Sequence, residues 1–265
     1  MPLPSLKFTT ATVALNVPVD EPTARTPEVR DRLAQAFATD TQARLEPELP
    51  DEAPPGVAFM LLSGRSSQME FSQIQATLEL EFYDAYRTKS ELCRPLVADK
   101  ARALLEAWAR IEARPVWEGI VIKLRAPMNE PDESPARHLF ETHLRADYDG
   151  DAIHEAKVEV ALRLQDRYFV TLAISPYENR RVQLAGPSPA GTIRPWDGEV
   201  VERGVEVTLD INNRYGGILE KKFSRITKED FVAMNDLAWQ LVDDVAIPFA
   251  REGTLNLNTA HETAV

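Results

Sequence analysis

The stretch "LRADYDGDAIHE" (144–155) sets Asp147, Asp149 and Asp151 at alternate positions, with His143 just before it and His154 inside it. Carboxylates and imidazoles this close together could hold a metal ion, so ligand spacing decides. An EF-hand loop needs glycine at its sixth position for the sharp turn and a bidentate glutamate at its twelfth. Counted from Asp147, those positions hold Ala152 and Val158, and Gly150 falls fourth. The calcium pattern fails at both residues that make such a loop work.

The same residues fit a hairpin. A three-residue loop of Tyr148, Asp149 and Gly150 puts glycine where a left-handed backbone is needed. Ala146 then faces Ala152, Leu144 faces His154, Thr142 faces Ala156, Phe140 faces Val158 and His138 faces Val160. One face becomes mostly apolar, and Glu141, Arg145, Glu155, Lys157, Glu159 and Arg163 collect on the other. In that register His143 and His154 point to opposite sides of the sheet. His138 and His154 share a side but stand roughly 20 Å apart, against metal–nitrogen bonds of ~2 Å. If 136–146 were helical instead, His138 and His143 would still not share a face well. There is no HExxH, and Cys93 is the only cysteine. The expected reading is a structural turn with no metal and no cofactor. A second hairpin, with Gln165, Asp166 and Arg167 as its loop, pairs Leu164 with Tyr168, Leu162 with Val170 and Val160 with Leu172.

Other catalytic patterns are missing. The sequence contains no G-x-S-x-G, no G-x-x-x-x-G-K-[ST] and no G-x-G-x-x-G. The serines and arginine of "LSGRSSQ" (62–68) read as a turn, and "RYGGI" (214–218) as a bulge or turn after a strand. "DDV" (243–245) reads as the solvated edge of a helix. Trp117 and Trp196 are candidates for exposed anchors, although burial is the commoner fate of tryptophan. A glycosidase-type carboxylate pair cannot be chosen from 42 acids by spacing alone. Catalytic residues are therefore unassigned, and the balance leans against an enzyme.

The elements that would position these residues follow from periodicity. Residues 6–19 read as a strand. Thr26 and Pro27 start a helix over 26–37, and the proline-rich stretch 39–56 is a loop of unassigned role. Strands follow at 57–62 and 73–82, then an amphipathic helix at 96–112 carrying Val97, Ala101, Leu104, Leu105, Trp108 and Ile111. In "VWEGIVIKLRA" (116–126), Ile120, Ile122 and Leu124 point inward. The fold class expected is α+β, with a ferredoxin-like split βαβ half at 1–126. Residues 127–135, "PMNEPDESP", form a linker. An antiparallel meander at 136–265 then packs on a long C-terminal helix, which Thr227 caps and Pro248 ends or kinks. No internal sequence repeat is evident.

Composition narrows the function. A formal net charge of −12 makes nucleic acid an improbable partner. "EKKFSRITK" (220–228) is the most basic run and reads as a solvated loop. One cysteine, no signal pattern and no long apolar run point to a cytoplasmic protein that no membrane span anchors.

Three stretches carry a resemblance: "LSGRSSQMEFSQIQATLELEFYDAY", "WEGIVIKLRAPMN" and "VEVTLDINNRYGGILEKKFSRITKEDFVAMNDLAWQLVDDVAIPFA". In order and spacing the chain resembles a sporadically distributed family of bacterial proteins of similar length. It departs from that family in having "LRAPMN" in place of an arginine-tyrosine-asparagine run. The family has no assigned activity, so the resemblance implies a fold and a prokaryotic setting, with no site residues to carry over. The expected function is a non-catalytic protein-binding or assembly component, acting on another protein or on itself as a homo-oligomer. A hydrolase-type enzyme with an unrecognised carboxylate site is the alternative. A chaperone-like binder of unfolded or secretory chains is the second, since "PFAREGTLNLN" is similar to an export chaperone's tail.

Overall fold

Alternation along a strand sends successive side chains to opposite faces, and here it builds a single sheet. The structure is a computed structural model and describes residues 3–37, 42–45, 53–128, 134–144, 156–165, 167–181, 198–214 and 224–256. The strands are β1 (Lys7–Asn16), β2 (Gln42–Leu45), β3 (Met60–Ser63), β4 (Ser67–Phe71), β5 (Gln75–Glu81), β6 (Trp117–Pro127), β7 (Val158–Leu164), β8 (Tyr168–Arg181) and β9 (Glu199–Asn212). They form one nine-stranded sheet in the order β2-β3-β4-β5-β1-β6-β9-β8-β7. Every pairing is antiparallel.

The helices are α1 (Pro27–Ala36), α2 (Ser90–Arg110), α3 (Pro135–Leu139), α4 (Lys228–Leu241) and α5 (Ile247–Glu252). The chain is thus α+β. Two strands go beyond those expected: β2 (Gln42–Leu45) forms inside the proline-rich stretch 39–56 read as a loop, and β4 (Ser67–Phe71) begins where the turn at 62–68 is expected to end. Four strands rather than two thus lie between α1 and α2, and the sheet runs on past β1 through β6 to β9. The stretch 127–135 does not separate two sheets, because β6 joins β1 on one side and β9 on the other.

Apart from the edge strand β2, the described elements run in the same order twice. Strand, helix, three-stranded meander and helix run as β1, α1, β3–β5, α2 and again as β6, α3, β7–β9, α4. Strand order runs outward from the central β1–β6 pair in both directions, with β2 as one further edge strand on the first side. The repeat is one of topology, without a matching sequence.

All five helices lie on one face of the sheet. There Val13, Leu15, Ile120, Ile122, Leu124, Val207, Leu209 and Ile211 meet Leu104, Trp108, Met234 and Ala238, and all are buried. Each such side chain contributes roughly 1.5–3 kcal/mol by leaving water. Trp239 packs its ring 5.4 Å from Phe8 and 6.4 Å from Phe82.

The helix ends follow local chemistry. Thr26 Oγ1 accepts a hydrogen bond from the Val29 amide, with Pro27 at the first helical position. Thr227 and Asp230 form a reciprocal capping box at the start of α4. Between α4 and α5, residues Val242–Ala246 widen into a π-helical turn. Pro248 lies just beyond it and has no amide to donate back into the turn.

One expected hairpin does not form over its described residues. Of its first strand, expected over 138–146, residues 138–144 instead belong to α3 and a π-helical turn over Phe140–Leu144. Ser134 caps this helix by accepting from the Arg137 amide, and Pro135 at its first position favours the helical start. The proposed loop Tyr148–Gly150, and Asp147, Asp151 and His154, lie outside the described residues. The second hairpin forms in the expected register, pairing Leu164 with Tyr168, Leu162 with Val170 and Val160 with Leu172.

Candidate functional site

Glu118 is the one fully buried acid among the described residues, at 0 % exposure. It lies near the start of β6 and shares parity with the buried Ile120, Ile122 and Leu124, so the pleat carries it inward. Its backbone is satisfied: the amide donates to Asn213 Oδ1 at 2.9 Å, and the carbonyl accepts from the Asn213 amide at 3.2 Å. Its side chain is not. Neither carboxyl oxygen has a hydrogen-bond partner.

Three groups stand within electrostatic reach of it. Arg167, at the β7–β8 turn, donates from Nη2 to Asp230 Oδ1 at 2.5 Å and lies over the Tyr168 ring at 5.1 Å. Asp230 belongs to the cap of α4. Burial pushes the Glu118 carboxyl up to about 8; Asp230 adds to the rise and Arg167 opposes it. Asp230 is also penalised by burial, yet the Arg167 and Thr227 hydrogen bonds hold it below the usual carboxylate range. Burial likewise raises the Tyr168 hydroxyl. The result is a neutral Glu118 beside an ionised Arg167–Asp230 pair at pH 7. Such a neutral acid can donate or release one proton. Neither groove described below is lined by Glu118.

The larger groove, about 610 Å³, lies beside this cluster on the helical side. It runs past Gln165, Tyr168, Asp236, Leu237, Asp243 and Asp244. A smaller one of about 190 Å³ lies at the β3–β4 turn, where Ser63, Arg65, Ser66 and Ser67 come together. "LSGRSSQ" thus is a hairpin turn.

The other residues marked by the sequence are dispersed. His138 is buried on α3. His143 sits on the following π turn with its ring 4.8 Å from Phe249, and burial lowers its proton affinity. Among the described residues no group of three or more His, Cys, Asp or Glu side chains is placed to hold a metal ion. Cys93 is buried, donates to the Tyr86 carbonyl and has its thiol pushed up to about 12 by burial. Trp117 is half-buried beneath the Arg214 guanidinium, 4.6 Å away, while Trp196 lies outside the described residues. Asp243 and Asp244 are exposed, as a solvated helix edge requires, and both also line the larger groove.

Sequence reasoning missed Glu118, yet its signal was present. An acid at the same parity as three inward isoleucine and leucine residues in "VWEGIVIKLRA" must be buried if they are.

No helix among the described residues lies on the opposite face of the sheet. Across its centre Thr12, Val121, Asp210 and Thr171 lie side by side on neighbouring strands, and Thr10, Lys123, Thr208 and Ala173 form the next row. All are half-buried. Arg125 and Glu206 pair beside them at 2.8 Å, with Arg125 over the Tyr177 ring at 4.5 Å. No helix among the described residues is long and apolar enough to cross a membrane. No protein-family model matches the chain, and no curated protein matches it.

Proposed function

We propose that the chain is a non-catalytic protein-binding or assembly component of a prokaryotic cytoplasmic system, working through the open face of its sheet. One observation carries this reading. The sheet leaves the face opposite the helices open among the described residues, with short side chains at its centre. Threonine, alanine and valine at its centre let a second flat surface approach closely. Lys123, Arg125, Glu206 and Asp210 around them supply charges of both signs for register. The prokaryotic setting rests on the family resemblance.

The hydrolase-type alternative has the perturbed carboxyl of Glu118 in its favour. A substrate needs access to such a group, and Glu118 is fully buried and lines neither groove. The described exposed apolar side chains, such as Val19, Leu92 and Val201, are far apart in sequence and on different elements, which gives a chaperone-like apolar groove no support.

The test is native affinity capture followed by light scattering on the purified product, for the wild type and for Thr12→Arg combined with Thr208→Arg. A stoichiometric complex, with itself or another protein, that the double variant loses supports the reading. A chain that stays alone, or a complex indifferent to both arginines, overturns it.

A further inference from the structure

We infer that the groove between the β7–β8 turn and α4 docks a lysine- or arginine-bearing segment of a partner protein. The groove combines an apolar floor with an unbalanced charge. Leu237 and Tyr168 are almost wholly buried along it, and Asp236, Asp243 and Asp244 stand around it. Arg94 is the single cation lining it, and it is already engaged with Asp236 at 2.8 Å. Asp243 has only the Ser90 hydroxyl, at 3.1 Å, and Asp244 has no described partner. Arg94 also reaches Asp243 electrostatically, so three carboxylates share one guanidinium and the groove keeps a net negative charge.

A second observation points to a ligand independently of the acids. Tyr168 is 98 % buried, yet its hydroxyl makes no hydrogen bond among the described residues while the residue lines the groove. The ring is held by the core while the hydroxyl is free to bond a ligand in the groove. Burial and the neighbouring Asp244 also push the Asp243 carboxyl up, as expected for a charge awaiting a cation. A long basic side chain meets all three needs: its methylene stem covers Leu237 and Tyr168, and its head reaches the two carboxylates. The groove is partly open to solvent, so an extended segment of chain can enter it.

This site lies on the helical side of the sheet. Its failure would leave the open-face reading to its own test. The experiment is fluorescence anisotropy with a labelled peptide of alternating leucine and lysine, and with a leucine–glutamate peptide as control. The proteins are the wild type, Asp243→Asn/Asp244→Asn, Tyr168→Phe, and a control that removes two remote acids, Asp99→Asn/Glu159→Gln. The expected result is binding of the lysine peptide that weakens about tenfold in the Asp243/Asp244 variant, as loss of two close charge contacts predicts. A smaller loss is expected in Tyr168→Phe, and no change in the remote control, which carries the same net charge. Equal weakening in both double variants, no binding of the lysine peptide, or equal binding of the glutamate peptide each overturns the inference.

Discussion

Arg167 gives its hydrogen bond to Asp230 and none to Glu118, although all three carry or can carry charge within the same corner of the fold. One guanidinium serves two carboxyl groups, and the one that also caps a helix takes it. Asp230 gains the Thr227 amide and hydroxyl as further donors, so its ionised form is well satisfied. Glu118 is left to hold its proton. The corner thus stores a proton that folding forces onto an acid normally ionised at pH 7.

Stability should fall as pH rises through the interval between the two Glu118 values. The unfolded acid loses its proton near 4.5, whereas the folded one keeps it to about 8. Below 4.5 both states are protonated, and the buried acid carries no pH-linked penalty. Between the two values only the unfolded state ionises, which favours unfolding. Glu118→Gln removes this linkage. It should be more stable than the wild type by about 3 kcal/mol at pH 7 and equal to it near pH 4. Urea unfolding from pH 4 to 9 measures both curves, and parallel curves would refute the orphaned carboxyl.

Asp230→Asn should shift the Glu118 titration to lower pH. The substitution removes a nearby negative charge and frees Arg167 to turn toward Glu118. Carbon-13 NMR of the glutamate carboxyls reads the shift directly. The same variant weakens the capping box and should cost about 1 kcal/mol of stability, as Thr227→Ala should. The Asp230 contribution runs opposite in pH to that of Glu118: it is present above the unfolded aspartate value and lost as pH falls through the lowered folded one.

Gly204→Ala should destabilise the β8–β9 arm. A Cβ at this position would collide with the Ala126 carbonyl on β6, and both partners are strand backbone. Backbone that cannot swing aside makes this an overpacking error, worth about 1–3 kcal/mol. Thermal unfolding checks the loss. Hydrogen exchange should show the Ala126–Val205 pairing as the place where protection falls first.

Cys93 should resist thiol reagents in the folded protein. Its thiol is buried, bonded to the Tyr86 carbonyl and raised to about 12, so almost no thiolate exists at pH 7. Reaction with a chromogenic disulfide should be slow in buffer and complete within minutes in denaturant. Fast labelling of the native protein would contradict the packing of α2 against the turn before it.

The residue pattern made much of the second half legible. Val205, Val207, Leu209 and Ile211 are buried on β9 as their alternation requires, and the β7–β8 register is the one that segregates its faces. The apolar stripe Phe231, Met234, Ala238 and Leu241 with its Thr227 cap is α4 as read. Residues 135–144 misled because helix and strand both tolerate their mixed pattern. A serine cap with proline after it decided for helix. Residues 67–71 are short, with only Met69 and Phe71 turned inward, so the strand was hidden between two turns.

By itself the sequence determined the local choices: where alternation runs, where threonine and proline start helices, and that no familiar catalytic spacing occurs. Those are contacts within a few residues, and their energies are set by neighbours along the chain. The tertiary structure alone decided that Glu118 (β6), Arg167 (β8 turn) and Asp230 (α4) share one corner, and that both meanders attach to a central β1–β6 pair. These contacts join residues dozens of positions apart. Their free energy depends on which surfaces exclude water together, and no local pattern encodes that.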